Sequence, residues 1–357
     1  MAASDMLLPV VAAQEFCVKV FVAAGLSSQD AHTVTDNLIL GDLRGLASHG
    51  IARLKVYTER INNGLINAHP NIRTLNEKPG MFHLDGDNGL GAVVGTEAME
   101  MSIERASKSG VCFCSVRRAN HFGIAAYYTM KAARRNMIGF ALQNNPPAIA
   151  PWGGITPMIG TNPFSIAVPA ETHEPIVLDC SCSKVARGKI NVAEIEGRPI
   201  PEGWAIDSEG RSTTDATQAL RGSVLPFGEY KGYGIAMIID ILCGILSGSA
   251  YGTHVGALWN NPKTTQNLGL TFMVIDVSSF MDPGEFKAQT DRMIEELKTS
   301  KRAKGVDEIF VPGEIEHRNL ERNEKRGITI GQGVLNDLKE LKESFAIDYE
   351  LEEQLTR

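Results

Sequence analysis

His49, Arg53 and Tyr57 follow Ser48 at intervals of four residues. If Ser48 caps a helix, that spacing stacks all three on one face. Arginine offers a planar fork that clamps a carboxylate. A histidine in a first helical turn feels the positive helix end, which favours its neutral form and its use as a base. Such a stripe suits an anionic small molecule. A solvated helix face behind a serine cap has the same pattern, and spacing alone leaves both readings open. A second histidine, His121, sits in Arg118-Ala-Asn120-His121-Phe-Gly123, after the strand-like run Val111 to Val116 and before a helix. α/β proteins often place active sites at strand-to-helix junctions, and histidine is the commonest general acid or base. A loop histidine is also commonly structural.

Other segments carry weaker signals. Gln143-Asn144-Asn145 and Gly160-Thr161-Asn162-Pro163 are amide-rich loops able to bond a ribose or a carboxamide, or to make ordinary turns. Leu178-Asp179-Cys180-Ser181-Cys182-Ser183 ends a strand with an acid and hydroxyls. Tyr230-Lys231 precedes an apolar helix, where a lysine can meet a phosphate. Val311-Pro312-Gly313-Glu314 is a turn before a helix. Gly89-Leu-Gly91-Ala-Val-Val-Gly95 imitates a dinucleotide fingerprint. The preceding Asp85-Gly-Asp-Asn-Gly reads as a turn with no strand leading directly into the glycines, so we read a turn and a helix start instead. Two Cys-x-Cys pairs, Cys112/Cys114 and Cys180/Cys182, are spaced too tightly for a usual zinc site. The six cysteines read as reduced core residues of a cytoplasmic protein, with no metal.

The elements that must hold these residues follow from periodicity. Helices are expected over Val10 to Ala24, from Ser28 toward Leu43 with Ser27 or Ser28 as cap, and over Ser48 to Ile61. From about Lys78, short β-rich runs alternate with helices: Met81 to Leu84, helix Gly95 to Lys108, Gly110 to Val116, helix Gly123 to Arg135, Met137 to Leu142. Strands Phe164 to Val168, Ile176 to Leu178 and Leu270 to Val277 follow. Arg198 to Ala216 reads as a turn-rich excursion. Gly232 to Leu246 reads as a buried apolar helix. Helices Glu285 to Arg302 and Gln332 to Phe345 close the chain. With 357 residues, 43% hydrophobic and a net charge of −7, the composition is that of a globular protein with no basic footprint for nucleic acid or an anionic membrane. Its most apolar run, Ile235 to Leu246, holds about 12 residues against the roughly 20 of a membrane span. The first five residues lack the basic start of a signal peptide.

Seven segments in order, taken together, resemble the type 2 malate/L-lactate dehydrogenase family across nearly the whole chain. They are Asp42-Leu-Arg-Gly with Ser48-His-Gly, Asn120-His-Phe-Gly, Gly160-Thr-Asn-Pro, Val185-Ala-Arg-Gly-Lys, Ile200-Pro-Glu-Gly-Trp-Ala-Ile-Asp, Lys231-Gly-Tyr-Gly and Pro312-Gly-Glu. The resemblance implies an α/β (α+β) fold of the L-sulfolactate dehydrogenase type, with a non-Rossmann nicotinamide site. A helical domain from both chain ends (1–77 and 283–357) would pack on a central mixed-sheet domain (78–282), in a homodimer. It implies hydride transfer between NAD(P) and a small 2-hydroxy or 2-oxo acid of malate, lactate, sulfolactate or ureidoglycolate type. Cyclic-imine reduction on the same scaffold, or nucleotide binding without catalysis, are the alternatives.

By position, the family's substrate-side residues fall on Ser48, His49, Arg53, Tyr57 and His121, with His121 favoured over His49 for proton transfer. Cofactor contacts fall on Asn145, Thr161, Asp179, Cys180, Ser181, Ser183, Tyr230, Lys231, Pro312, Gly313 and Glu314. NAD is favoured over NADP, with Lys184 and Arg187 as the basic residues that could meet a 2′-phosphate. The chain departs from the family at Cys180-Ser181-Cys182, where a Met-Ala-Thr-like run is common, and at Asn144-Asn145, commonly Asn-Ser.

Overall fold

In a computed structural model, residues 6–259 and 263–356 are described. The segment read for a leader, 1–5, lies outside them. A mixed seven-stranded sheet forms the centre. Its strands run in the order Arg73–Lys78, Met81–Asp85, Val111–Ala119, Leu268–Asp276, Met137–Gln143, Phe164–Val168 and Ile176–Cys180. Only Met81–Asp85 and Val111–Ala119 pair in parallel, joined by the helix Gly91–Ser109; every other neighbouring pair in this sheet is antiparallel. Cys112, Cys114 and Val116 alternate onto the face that packs against Val94, Ala98, Met99 and Ile103 of that helix. The edge strand Arg73–Lys78 lies ahead of the β-rich region expected from about Lys78. All six of its residues are exposed, so no alternating apolar face marks it.

A second core joins the chain ends. Met6–Leu8 pairs antiparallel with Ile328–Ile330. The helices Val10–Ala23, Ser28–Leu43, Leu54–Asn62 and Gln332–Ser344 bury Phe16, Phe21, Leu38, Leu54, Leu335 and Leu338 together. Ser27, not Ser28, caps the second helix and accepts from the Asp30 amide. The helix Pro283–Thr299 lies outside that core. Its Asp291 accepts from the backbone of Glu171 and Thr172, beside the central sheet.

A smaller five-stranded sheet also emerges from the loops. Pro147–Ile149 and Ile159–Gly160 join Ser223–Val224, Ala205–Ile206 and Ser212–Thr213. Strands of two or three residues leave no periodic signal, which is why the sequence shows only turns here. The helices Arg187–Ile195 and Ala216–Arg221 pack beside it and are likewise absent from the sequence reading.

Two expectations need correction. The apolar segment 232–246 is a helix, Tyr230–Asp240 continued by a π-helical turn Ile241–Ile245, but it is not buried all round. Ile235, Ile238, Ile241, Ile245 and Leu246 stand exposed along it. Among the cysteines, all of them free thiols, Cys180 is only half-buried where the other five are buried. No helix among the described residues is long and apolar enough to cross a membrane.

Candidate active site

No single α-helix carries Ser48, His49, Arg53 and Tyr57. Two short 3-10 turns, Ala47–His49 and Ile51–Arg53, precede the helix Leu54–Asn62. The cause is local. The buried Asp42 carboxylate accepts from the Ile51 amide at 2.7 Å, taking the N–H that a serine cap at Ser48 would have bonded through its hydroxyl. Ser48 therefore caps no helix, and its hydroxyl meets His49 Nδ1 at 2.9 Å instead. His49 does not sit on a helix N-terminus. Burial, and then the nearby Arg53 charge, bring its pKa down to about 3.

The two histidines meet from distant parts of the chain. Their rings stack with centroids 5.5 Å apart. His121 is buried, and its Nδ1 lies 2.7 Å from the Tyr57 hydroxyl. Burial, followed by Arg53 and His49, holds the His121 pKa well below the ordinary histidine value, so the ring is neutral near pH 7. Tyr57 is itself buried, and its hydroxyl is engaged by the histidine. Arg53 donates from Nε to the Ser48 carbonyl at 2.7 Å and lays its guanidinium over the Trp259 ring, 5.0 Å from the centroid. One of its terminal nitrogens, Nη1, is buried with no partner among the described residues.

The loop of His121 is held by amide side chains whose part in it the sequence did not reveal. Gln266 accepts from the His121 amide and Gln143 from the Phe122 amide. The buried Asn37 donates to the Phe122 carbonyl and accepts from the Ile124 amide. Glutamines and asparagines carry no spacing signal, so only the fold reveals them. Gly123 adopts φ +78°, and a Cβ there would lie 1.7 Å from Asn37 Oδ1. Gly123→Ala is expected to destabilise the protein by about 2–4 kcal/mol through strain and overlap. The midpoint of urea unfolding measures this, and an unchanged midpoint refutes it. Of the fingerprint-like glycines, Gly91 serves the same loop. The strand Met81–Asp85 does lie upstream of them, separated by the turn at 86–90. A Cβ on Gly91 would fall 2.1 Å from the Asn120 carbonyl oxygen, so that close approach is filled by the chain itself.

Gln143 also links this loop to the remaining candidates, donating to Asn145 Oδ1 at 2.7 Å. Asn145 lies by Thr161, whose carbonyl accepts from the Cys182 amide. Ser181 and Ser183 hydroxyls are 2.9 Å apart, and Ser183 bridges to Pro226, just ahead of Tyr230 and Lys231. Asp179 turns toward the histidine loop and accepts from the Ala126 amide; burial raises its pKa to about 6. Cys180 follows it at the strand end. Pro312 accepts from the Val177 amide on the same strand, and Gly313 packs on Val177. Glu314 is already engaged by Lys298 at 2.6 Å and Arg318 at 2.7 Å. Beside Tyr230 and Lys231 runs a groove of about 420 Å³ walled by Phe140, Leu142, Phe164, Ile166, Ile235 and Ile238. Apolar walls for a ring face, hydroxyl and amide donors, and a lysine with no carboxylate partner among the described residues fit a nicotinamide dinucleotide.

A family model described as malate/L-lactate dehydrogenase matches residues 8–339. The chain belongs to the malate/L-lactate dehydrogenase family. The malate dehydrogenase of Pyrococcus horikoshii is 40% identical over 341 residues, covering 93% of this chain and 94% of its own. The L-sulfolactate dehydrogenase of Methanocaldococcus jannaschii is 40% identical over 337 residues, covering 94% and 96%. The solved structure of the sulfolactate dehydrogenase from Methanocaldococcus jannaschii superposes with a TM-score of 0.91 at 39% identity, over 98% of this chain and 99% of that one. The non-Rossmann fold expected from the sequence is therefore the one observed. This malate/L-lactate dehydrogenase family member is an NAD(P)-dependent oxidoreductase, and its relatives include enzymes named for NAD+ and for NADP+.

Proposed function

We propose that the enzyme reduces a small 2-oxo acid to the 2-hydroxy acid, and the reverse, at the cleft shared by His49, Arg53 and His121. The supporting observation is the pair of stacked, neutral imidazoles beside an arginine with an unpartnered buried nitrogen. Arg53 and the exposed Ser48 hold the substrate carboxylate, the guanidinium accepting no other anion among the described residues. His121 exchanges the proton with the substrate oxygen through Nε2, and Tyr57 acts behind it. When bound, the nicotinamide supplies or accepts the hydride.

Asn145, Thr161, Asp179, Cys180, Ser181, Ser183, Tyr230, Lys231 and Pro312 to Glu314 border the cofactor's path. NAD is the favoured form. Of the two basic residues suited to a 2′-phosphate, Arg187 already donates to the Leu220 carbonyl. Six free thiols support a reducing, cytoplasmic location. In this reading 1–77 and 283–357 make the helical domain and 78–282 the central one; the shared core of the chain ends supports it from Leu8 to Ile66 and from Leu320 to Leu355, while Arg73–Lys78 and Pro283–Thr299 lie with the central sheet.

The exposed row Ile241, Ile245 and Leu246, beyond the cofactor groove, supports a homodimer that covers it. Sedimentation is expected to give twice the mass of one chain, and Ile245→Asp to shift it toward one. The function itself is tested by mixing the enzyme with NADH or NADPH and a panel of 2-oxo and cyclic imino acids. Loss of the reduced-nicotinamide absorbance with a 2-oxo acid is expected. Turnover of imino acids alone, or cofactor binding without turnover, refutes the proposal.

A further inference from the structure

The hydrogen bonds of His121 specify which nitrogen carries its proton. Nδ1 lies 2.7 Å from the Tyr57 hydroxyl and 3.2 Å from the Gly123 amide nitrogen. A backbone N–H only donates, so Nδ1 must present its lone pair there; a proton on Nδ1 would point at the proton of Gly123. The Tyr57 hydroxyl then donates to the same lone pair. A neutral imidazole that accepts at Nδ1 carries its hydrogen on Nε2, and Nε2 has no partner among the described residues. The amide cannot rotate away, because the Asn37 side chain grips the backbone on either side of Gly123.

We propose that the Gly123 amide locks His121 as its Nε2–H tautomer in the resting enzyme and that Tyr57 is the relay residue behind it, feeding a proton transiently to Nδ1 as Nε2–H is given to the substrate oxygen. The inference rests on the hydride-transfer reading above and adds the protonic state and the second proton's source. In the reductive direction the carbonyl carbon gains a hydride from the reduced nicotinamide, and its oxygen forms O–H as the Nε2–H bond breaks. Nδ1 forms N–H as the Tyr57 O–H bond breaks. Burial disfavours the phenolate left behind, which takes its proton back from Nδ1 as water supplies one to Nε2 once product has left, so one hydride and one proton are consumed and the Nε2–H tautomer is restored. Oxidation runs the same transfers backward.

The surroundings explain why a relay is needed. The titratable and charged groups facing the ring are Tyr57 from the helix Leu54–Asn62, and His49 and Arg53 from the turns before it. The strand Met137–Gln143 and the segment before Leu268 bring only the amides of Gln143 and Gln266 to the loop. No carboxylate is hydrogen-bonded to the ring among the described residues, so nothing stabilises an imidazolium. A neutral ring giving up Nε2–H unaided would become an imidazolate, and the Tyr57 proton prevents that.

Nitrogen-15 NMR of the histidine-labelled, cofactor-free full chain reads the tautomer directly, with His121 assigned by the signals lost in His121→Asn. An unprotonated Nδ1 and a protonated Nε2 are expected, unchanged between about pH 5 and 8. Tyr57→Phe keeps the Gly123 lock and is expected to lower kcat for 2-oxo acid reduction on the order of 10- to 100-fold, with KM little changed. The solvent isotope effect should fall from that of two moving protons to that of one, which a merely structural role would not produce. A protonated Nδ1 overturns the lock. Wild-type kcat and isotope effect in Tyr57→Phe overturn the relay. If the unaltered enzyme reduces no 2-oxo acid with either cofactor, the hydride-transfer reading fails and the relay with it, while the NMR still decides the tautomer.

Discussion

His121→Ala lowers kcat for 2-oxo acid reduction by about 100-fold or more, the usual scale for losing a positioned acid or base. The residue earns this expectation from its surroundings. Its amide is held by Gln266, its ring by Tyr57 and Gly123, and its Nε2, without a partner among the described residues, is the nitrogen left for substrate. His49 is the competitor, stacked 5.5 Å away, but its Nδ1 faces the exposed Ser48 hydroxyl rather than a buried partner. His49→Ala is therefore expected to cost less than His121→Ala. Near-normal turnover in the His121 variant, with collapse in the His49 variant, would move the role to His49. Burial and the Arg53 charge depress both pKa values, so both rings stay neutral as the pH falls from 8 toward roughly 5. Reductive kcat should then stay flat over that window. A kcat that falls as the pH rises through about 6.5 would point to an imidazolium acid instead.

Arg53→Ala raises KM for the 2-oxo acid on the order of 100-fold, the scale of leaving a buried carboxylate without its cation. Little change in kcat is expected, because the carboxylate is held alike in ground state and transition state. The guanidinium is oriented before substrate arrives: Nε is tied to the Ser48 carbonyl, the plane lies over Trp259, and Nη1 is buried without a partner among the described residues. Arg53→Lys is expected to recover little, since a lysine ammonium has neither the fork nor the flat face that this geometry uses. Steady-state kinetics over a range of oxo acid concentrations measure both. An unchanged KM in Arg53→Ala would remove the residue from carboxylate binding. The loop that carries Trp259 is itself pinned by the buried Arg60, which donates to the carbonyls of Ala257, Leu258 and Thr264. The wall over Arg53 is thus held in place by the same helix that supplies Tyr57.

Much of the local architecture was legible in the residues. Apolar spacing marks the helices Val10–Ala23 and Gln332–Ser344 to within a residue or two, and the alternation of Cys112, Cys114 and Val116 marks a strand face. The seven ordered motifs identified the family, and with it the pairing of His49 and His121. The four-residue spacing from His49 to Tyr57 singled out side chains that do gather at His121, but through the wrong device. A helix capped by Ser48 was expected where Asp42, nine residues upstream of Ile51, takes the amide that cap needs and two 3-10 turns stand instead. The exposed face of helix 230–246 was also misjudged, because hydropathy measures how much a segment prefers burial and not what covers it.

The sequence by itself determined which residue types are available, roughly where most of the long helices lie, and which family the order of motifs belongs to. Those properties are set by neighbours a few positions apart, whose periodicity and caps survive in the linear string. Only the tertiary structure decided that Tyr57 meets His121 across 64 residues, that Gln143 and Gln266 carry the histidine loop, and that both imidazoles are neutral. Each depends on long-range packing, which sets the distance, the burial and the local charge that fix a hydrogen bond's direction and a proton's place.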